Sequence, residues 1–246
     1  MSPTLQMLPK PAHIGIVACS AEGASLCYRT ICAEAPALLG PHAHPEISLH
    51  GHSLAAYVDL LDGGDLAGVG TLMLDSVHRL AASGADLVIC PDNTIHEALP
   101  LVVDQSPLPW LHIAEVVADE AVGRGFRRIG VLGTRWLVDS DVYPGQFRPA
   151  GLEAVLPAPA DRDEVHRVIM DELVPGRIGG DAALRVQHVI ERLAADGCDA
   201  VVLGCTELPL IIDDNNSALP TLDSTRLLAR AALRRATRDE VERGLR

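Results

Sequence analysis

No apolar run in this chain approaches the roughly 18 residues that a membrane-crossing helix needs. Nor does a charged-then-apolar signal pattern open it. Met1–Ala12 is polar and contains prolines, which leads us to expect a cytoplasmic protein. The six cysteines form no CxxC pair and keep no regular spacing, so they read as reduced thiols rather than a disulfide framework. Basic charge is also scarce. Twenty Lys+Arg against 33 Asp+Glu give a formal net charge of -13, and the basic residues are scattered. With no stripe to neutralise phosphates, nucleic acid is not expected as a partner. No GxGxxG or P-loop follows a strand, since Gly15 and Gly130 sit inside apolar runs, so a nucleotide cofactor finds no support.

What is present is an apolar, well-packed chain that repeats itself. Its 246 residues are 48% hydrophobic, enough for one large domain or two small ones. His13-Ile14-Gly15-Ile16-Val17-Ala18-Cys19 reads like Arg128-Ile129-Gly130-Val131-Leu132-Gly133-Thr134. Tyr28 and Tyr143 follow Ile14 and Ile129 at equal distance. Further on, Gly84-Ala85-Asp86-Leu87-Val88-Ile89-Cys90-Pro91-Asp92-Asn93-Thr94 reads like Gly197-Cys198-Asp199-Ala200-Val201-Val202-Leu203-Gly204-Cys205-Thr206-Glu207. Two matched segments in the same order at nearly the same offset imply two copies of one unit, with Asp92 opposite Cys205.

The matched segments are short β-branched runs, as expected of parallel strands buried on both faces. Between them, apolar residues at three- and four-residue spacing predict helices over 21–34, 54–83, 94–104, 115–124, 161–173, 180–196 and 223–238. The second of these breaks at Gly63-Gly64 and restarts with Asp65 as N-cap. The expected architecture is α/β: two pseudo-symmetric, doubly wound parallel-sheet lobes with the active site between them. We assign 12–112 plus 215–246 to the first lobe and 113–214 to the second.

Ligands of such sheets bind beyond the carboxyl ends of the strands. Asp92-Asn93-Thr94, Cys205-Thr206-Glu207, Cys19-Ser20 and Thr134 all fall there. Each of the first two motifs puts an ionisable group before hydroxyl or amide donors at a helix start, where an anion is favoured. The competing structural reading is a capping Asp92 or Asn93 and a merely apolar Cys205; their matched positions across the repeat weigh against it. His42, His44, His50 and His52 form a cluster, but no carboxylate or thiol partner is apparent for them and no metal is expected. His50, at the end of the second strand, is expected to contact substrate, His96 to be a local structural partner, and Cys90 to be core.

Gly204-Cys205-Thr206-Glu207-Leu208-Pro209 resembles the second catalytic motif of the aspartate/glutamate racemase superfamily, and Asn93-Thr94-x-His96 the end of its first. The likeness extends to Glu164-Val165-His166-Arg167-Val168-Ile169 and Asp223-Ser224-Thr225-Arg226. It implies a cofactor-independent enzyme, a homodimer, acting on a small carboxylate or amino acid through two thiols, one on each face of the α-carbon. Cys205 matches the second thiol. Asn93, Thr94 and Thr206 match carboxylate-binding positions, Ser20 lies where the family contacts substrate, and Thr134 ends the matching strand of the second copy.

Three positions depart from the family pattern: Asp92 replaces the first cysteine, Pro175 stands at the position of a basic anchor with Arg177 nearby, and Leu137 replaces a threonine. An unperturbed carboxylate is a weaker base than a thiolate by about 4–5 pKa units, so symmetric two-thiol chemistry between these two positions is unavailable. Unequal roles for Cys205 and Asp92 fit racemisation or epimerisation. They also fit decarboxylation with protonation from Cys205, or cis–trans isomerisation with Cys205 as nucleophile. A non-catalytic carboxylate-binding protein is the reading from another class.

Overall fold

The computed structural model describes residues 11–244, with side chains as far as Thr237; most of Met1–Ala12 lies outside it. The first half runs β1 (Ile14–Ala18), α1 (Ala21–Glu34), α2 (Pro36–Leu39), β2 (Ile47–Gly51), α3 (Leu54–Asp62), α4 (Leu66–Ala82), β3 (Leu87–Ile89), α5 (Leu99–Val102) and β4 (Trp110–Leu111). After α6 (Ile113–Gly123) come β5 (Arg128–Leu132), α7 (Arg135–Val138), α8 (Val142–Phe147), β6 (Glu153–Val155), α9 (Pro159–Arg167), α10 (Ala182–Ala195), β7 (Ala200–Leu203), β8 (Thr221–Asp223) and α11 (Ser224–Gly244).

The strands form two four-stranded parallel sheets, ordered β2-β1-β3-β4 and β6-β5-β7-β8. The order is the same once the second set is counted from β5, and in both sheets the matched segments are the two central strands. β1, β3 and β7 are buried along their whole length, which is why they read as continuous apolar runs rather than alternating ones. The repeated glycine has a packing role. A Cβ on Gly15 would stand 2.9 Å from Val88 Cγ1, and one on Gly130 2.7 Å from Leu193 Cδ1. Each central strand is bare at that point so that a neighbouring side chain can close over it. The paired tyrosines, in contrast, part company: Tyr28 lies exposed on α1 and Tyr143 is buried on α8.

Most expected helices form within a residue or two. The break after Gly63 is made as expected, with Asp65 Oδ1 accepting from Gly68 N at 2.8 Å. Two expected helices are altered. The 94–104 stretch is a tight 3-10 turn (Thr94–Ala98) running into α5 and a second such turn, with Pro100 in its middle unable to donate a backbone bond. The 161–173 stretch widens after α9 into a π-turn over Val168–Leu173. β8 pairs with β7, so the second sheet extends to Asp223, beyond residue 214 where the sequence put the end of that lobe. α11 then returns to pack on α1 and α6, and the guanidinium of Arg230 grips Glu34 of α1 at 2.8–3.0 Å.

Candidate active site

The two matched loops meet between the lobes. β3 ends just before Asp92-Asn93-Thr94 and β7 just before Cys205-Thr206-Glu207, and both triplets line one small cavity of about 50 Å3. Cys19 and Ser20 at the end of β1 and Thr134 at the end of β5 join them. The apolar remainder of the wall includes Leu61 from α3, Trp136 from α7, and Ile169 and Met170 from the π-turn. Within this wall Asp92 and Cys205 are partly exposed, whereas Asn93, Thr94, Thr206 and Glu207 are buried.

Three hydrogen bonds tie the lobes across the cavity. Ser20 Oγ lies 3.1 Å from Thr206 Oγ1, Thr94 Oγ1 lies 3.2 Å from Thr134 Oγ1, and Tyr143 Oη donates to Asn93 Oδ1 at 2.6 Å. Asn93 Nδ2 donates in turn to Ser224 Oγ at 2.9 Å, so its side-chain amide is bound at both ends by protein. Ser20 and Thr134 also cap helices, accepting from Gly23 N at 3.1 Å and Leu137 N at 3.4 Å.

On the second lobe, Cys205 Sγ donates to Glu207 Oε2 at 2.9 Å and Thr206 Oγ1 donates to the same oxygen at 2.7 Å. Burial, followed by the nearby Glu207 carboxylate, pushes the Cys205 thiol well above its ordinary range. On the first lobe, Asp92 Oδ1 accepts from Ile95 N at 3.1 Å. Burial raises the Asp92 carboxyl above the usual carboxylate range. The Ile95 amide and a hydrogen bond from Cys19 act in the opposite sense, and the charge on Glu207 reinforces the rise.

His96 does not enter the wall. Its Nδ1 donates to the Asp92 carbonyl at 2.7 Å and its Nε2 accepts from Ile113 N at 3.3 Å, pinning the loop to the start of α6. Burial, with His112 beside it, depresses its pKa to about 3, so the ring is neutral. Cys90 is fully buried in the first-lobe core.

His50 also lies outside the cavity, its Nδ1 3.0 Å from Ser76 Oγ. His52 lines a larger outer groove of about 770 Å3, which shares Cys19, Ser20, Leu54, Val174 and Glu207 with the inner cavity. The fold supplies the histidines with a carboxylate that sequence spacing did not: ring nitrogens of His50 and His52 and an oxygen of Asp75 lie within 4.8 Å of one another. Asp75 Oδ2 is 2.9 Å from His52 Nε2 and is shared with Arg79 Nε at 2.8 Å.

Sequence reasoning passed over two residues of the wall, Cys19 and Glu207, as functional groups. The signal for Cys19 was its match to Thr134 across the repeat; for Glu207 it was its match to Thr94.

Residues 14–232 match the model of a family described as Asp/Glu/Hydantoin racemase. Among curated proteins, the chain is 26% identical over 161 residues to a broad specificity amino-acid racemase of Bacillus subtilis, covering 65% of this chain and 69% of the relative. It is 30% identical over 159 residues to a glutamate racemase of Thermus thermophilus, covering 63% of this chain but only 57% of the relative. Among solved structures, it resembles an aspartate racemase homologue from Pyrococcus horikoshii with a TM-score of 0.78 at 25% identity, covering 92% of this chain and 99% of that one. A Yersinia pestis chain proposed to be an Asp/Glu racemase gives a TM-score of 0.83 at 29% identity, with the same coverage.

Proposed function

This chain belongs to the Asp/Glu/Hydantoin racemase family, and from that premise we propose that it is a cofactor-independent racemase or epimerase of a small amino or carboxylic acid, with Asp92 and Cys205 serving opposite faces of the α-carbon. The observation that carries this reading is the position of those two residues. They occupy the matched site of the two copies, and they are the members of the two loop triplets that are partly exposed in one cavity. A proton-transfer group on either side of a bound carbon is the arrangement that inversion by deprotonation and reprotonation requires.

The polar groups that can turn to a substrate carboxylate are the hydroxyls of Ser20, Thr94, Thr134 and Thr206, now bonded to one another and to Glu207, and the amides of the loops after β3 and β7. Among the described residues no arginine or lysine lines the inner cavity, and much of its wall is apolar. This favours a substrate with one carboxylate and a small or apolar substituent over one with a charged side chain. A second reading, decarboxylation with protonation by Cys205, is favoured by the raised thiol, which rests as a proton donor.

Deuterium exchange decides between these. The protein is incubated in D2O with separate enantiomers of aspartate, glutamate, alanine and other small acids, including malonates, and followed by NMR beside Cys205→Ala. Deuterium entering the α-position with inversion, lost in Cys205→Ala, supports the racemase. Loss of a carboxylate from a malonate supports the second reading, and equal activity of Cys205→Ala overturns both.

A further inference from the structure

The first lobe holds a thiol at the cavity after all, on another strand. Cys19, at the end of β1, lines the cavity with Asp92, Cys205 and Glu207. It is 7% exposed and faces the same small cavity as Asp92, close enough for the Asp92 carboxyl to bear on its proton. The second lobe presents a thiol and a carboxylate too, but from a single loop. There the thiol, Cys205, occupies the loop position matched to Asp92, and its carboxylate partner is Glu207 at 2.9 Å. Each side of the cavity therefore carries one thiol and one carboxyl group.

Resting on the racemase reading above, we propose that Cys19 is the proton-transferring thiol of the first face and that Asp92 acts through it, so that the site works with two thiol–carboxyl pairs sharing one carboxyl proton. The cycle is written from the state in which both thiols carry protons, the shared carboxyl proton sits on Asp92, and Glu207 accepts from Cys205 and Thr206. The α-carbon's C–H bond breaks and its proton goes to Cys205 Sγ as the proton already on that sulfur passes to Glu207. The electron pair left on carbon is delocalised into the substrate carboxylate. On the opposite face, Cys19 gives its proton to that carbon and recovers one from Asp92. The cycle ends with both thiols protonated, Glu207 protonated and Asp92 ionised, the mirror image of the start. No proton or charge is gained or lost, and the reverse reaction uses the same groups in the opposite order. Burial, with a smaller contribution from the Glu207 charge, raises the Asp92 carboxyl, and burial raises the Cys19 thiol.

The test uses whichever enantiomeric pair the wild-type protein racemises in D2O. Cys19→Ala and Cys19→Ser are compared with Cys205→Ala and with Cys32→Ala, whose thiol lies outside the cavity. Both Cys19 variants should lose racemisation by roughly 10²-fold or more, the range of a general acid–base group, while Cys32→Ala keeps the wild-type rate. Thermal unfolding checks that the variants fold. Cys19→Ser, nearly isosteric, provides the readout should Cys19→Ala be unstable. Asp92→Asn should slow the two directions unequally and shift the pH profile, as expected of a group acting through a thiol. Racemisation by Cys19→Ser at the wild-type rate, with Cys205→Ala inactive, overturns the Cys19 role and leaves the racemase reading intact. A wild-type protein that exchanges no acid in the panel overturns both.

Discussion

Cys205 Sγ and Glu207 Oε2 stand 2.9 Å apart on one loop, with Thr206 donating to the same carboxylate oxygen. A thiol held against an anion keeps its proton, and the proton has an acceptor waiting when the sulfur is needed as a base. Glu207→Gln removes the charge but keeps the shape. The Cys205 pKa should therefore fall, moving the inflection of its alkylation by iodoacetamide to lower pH. Turnover should drop by roughly 10²- to 10⁴-fold because the acceptor is gone. An unchanged alkylation profile would show that burial alone holds the thiol up.

Tyr143→Phe tests the tie between the lobes at Asn93. The substitution removes the donor to Asn93 Oδ1 and leaves that oxygen, in a residue 2% exposed, without its partner. The expected cost is about 1–3 kcal/mol, read as a lower urea midpoint with an unchanged slope. Because Asn93 adjoins Asp92, turnover should fall as well.

Gly23 tests how tightly the lobes close. A Cβ there would stand 2.5 Å from the Pro91 carbonyl oxygen of the first lobe and 2.5 Å from Thr206 Cγ2 of the second. Alanine is normally the better helix former by up to about 1 kcal/mol. Here Gly23→Ala should destabilise the protein and weaken substrate binding, seen as a lower melting temperature and a higher KM. A rise in melting temperature would mean that the gap can give.

Acid should unfold the protein through two histidines. His96 and His112 are depressed to about 3 and about 4, chiefly by burial. In the unfolded chain both titrate near 6.5, so there they bind protons that the folded state refuses. Their contribution to stability is present above pH 6.5 and is lost as pH falls below it, by up to about 1.4 kcal/mol per pH unit for each ring. Denaturant melts between pH 7.5 and 5 should show this slope, and His96→Gln should reduce it.

The duplication and the two triplets were legible because they are local: a buried parallel strand is an apolar run, and its terminal loop follows directly. Boundaries set by pairing were not. β8 is three residues long, and only its hydrogen bonds to β7 assign Thr221–Asp223 to the second sheet. The π-turn at Val168–Leu173 reads as ordinary helix until it is seen to widen where Ile169 and Met170 reach the cavity. Asp75 beside His52, Tyr143 against Asn93 and Cys19 against Asp92 are meetings of distant segments, and residue spacing does not encode them. The departure at Asp92 was visible at once, whereas the thiol beside it was not.

The bonds Ser20–Thr206, Thr94–Thr134 and Asn93–Tyr143 close the molecule over a space scarcely larger than a water molecule or two. Latch and reagent are neighbours in the chain: Ser20 follows Cys19, Asn93 follows Asp92 and Thr206 follows Cys205. A ligand larger than that space can enter only where these three bonds part, so whatever lies beside them in the chain must move with the latch.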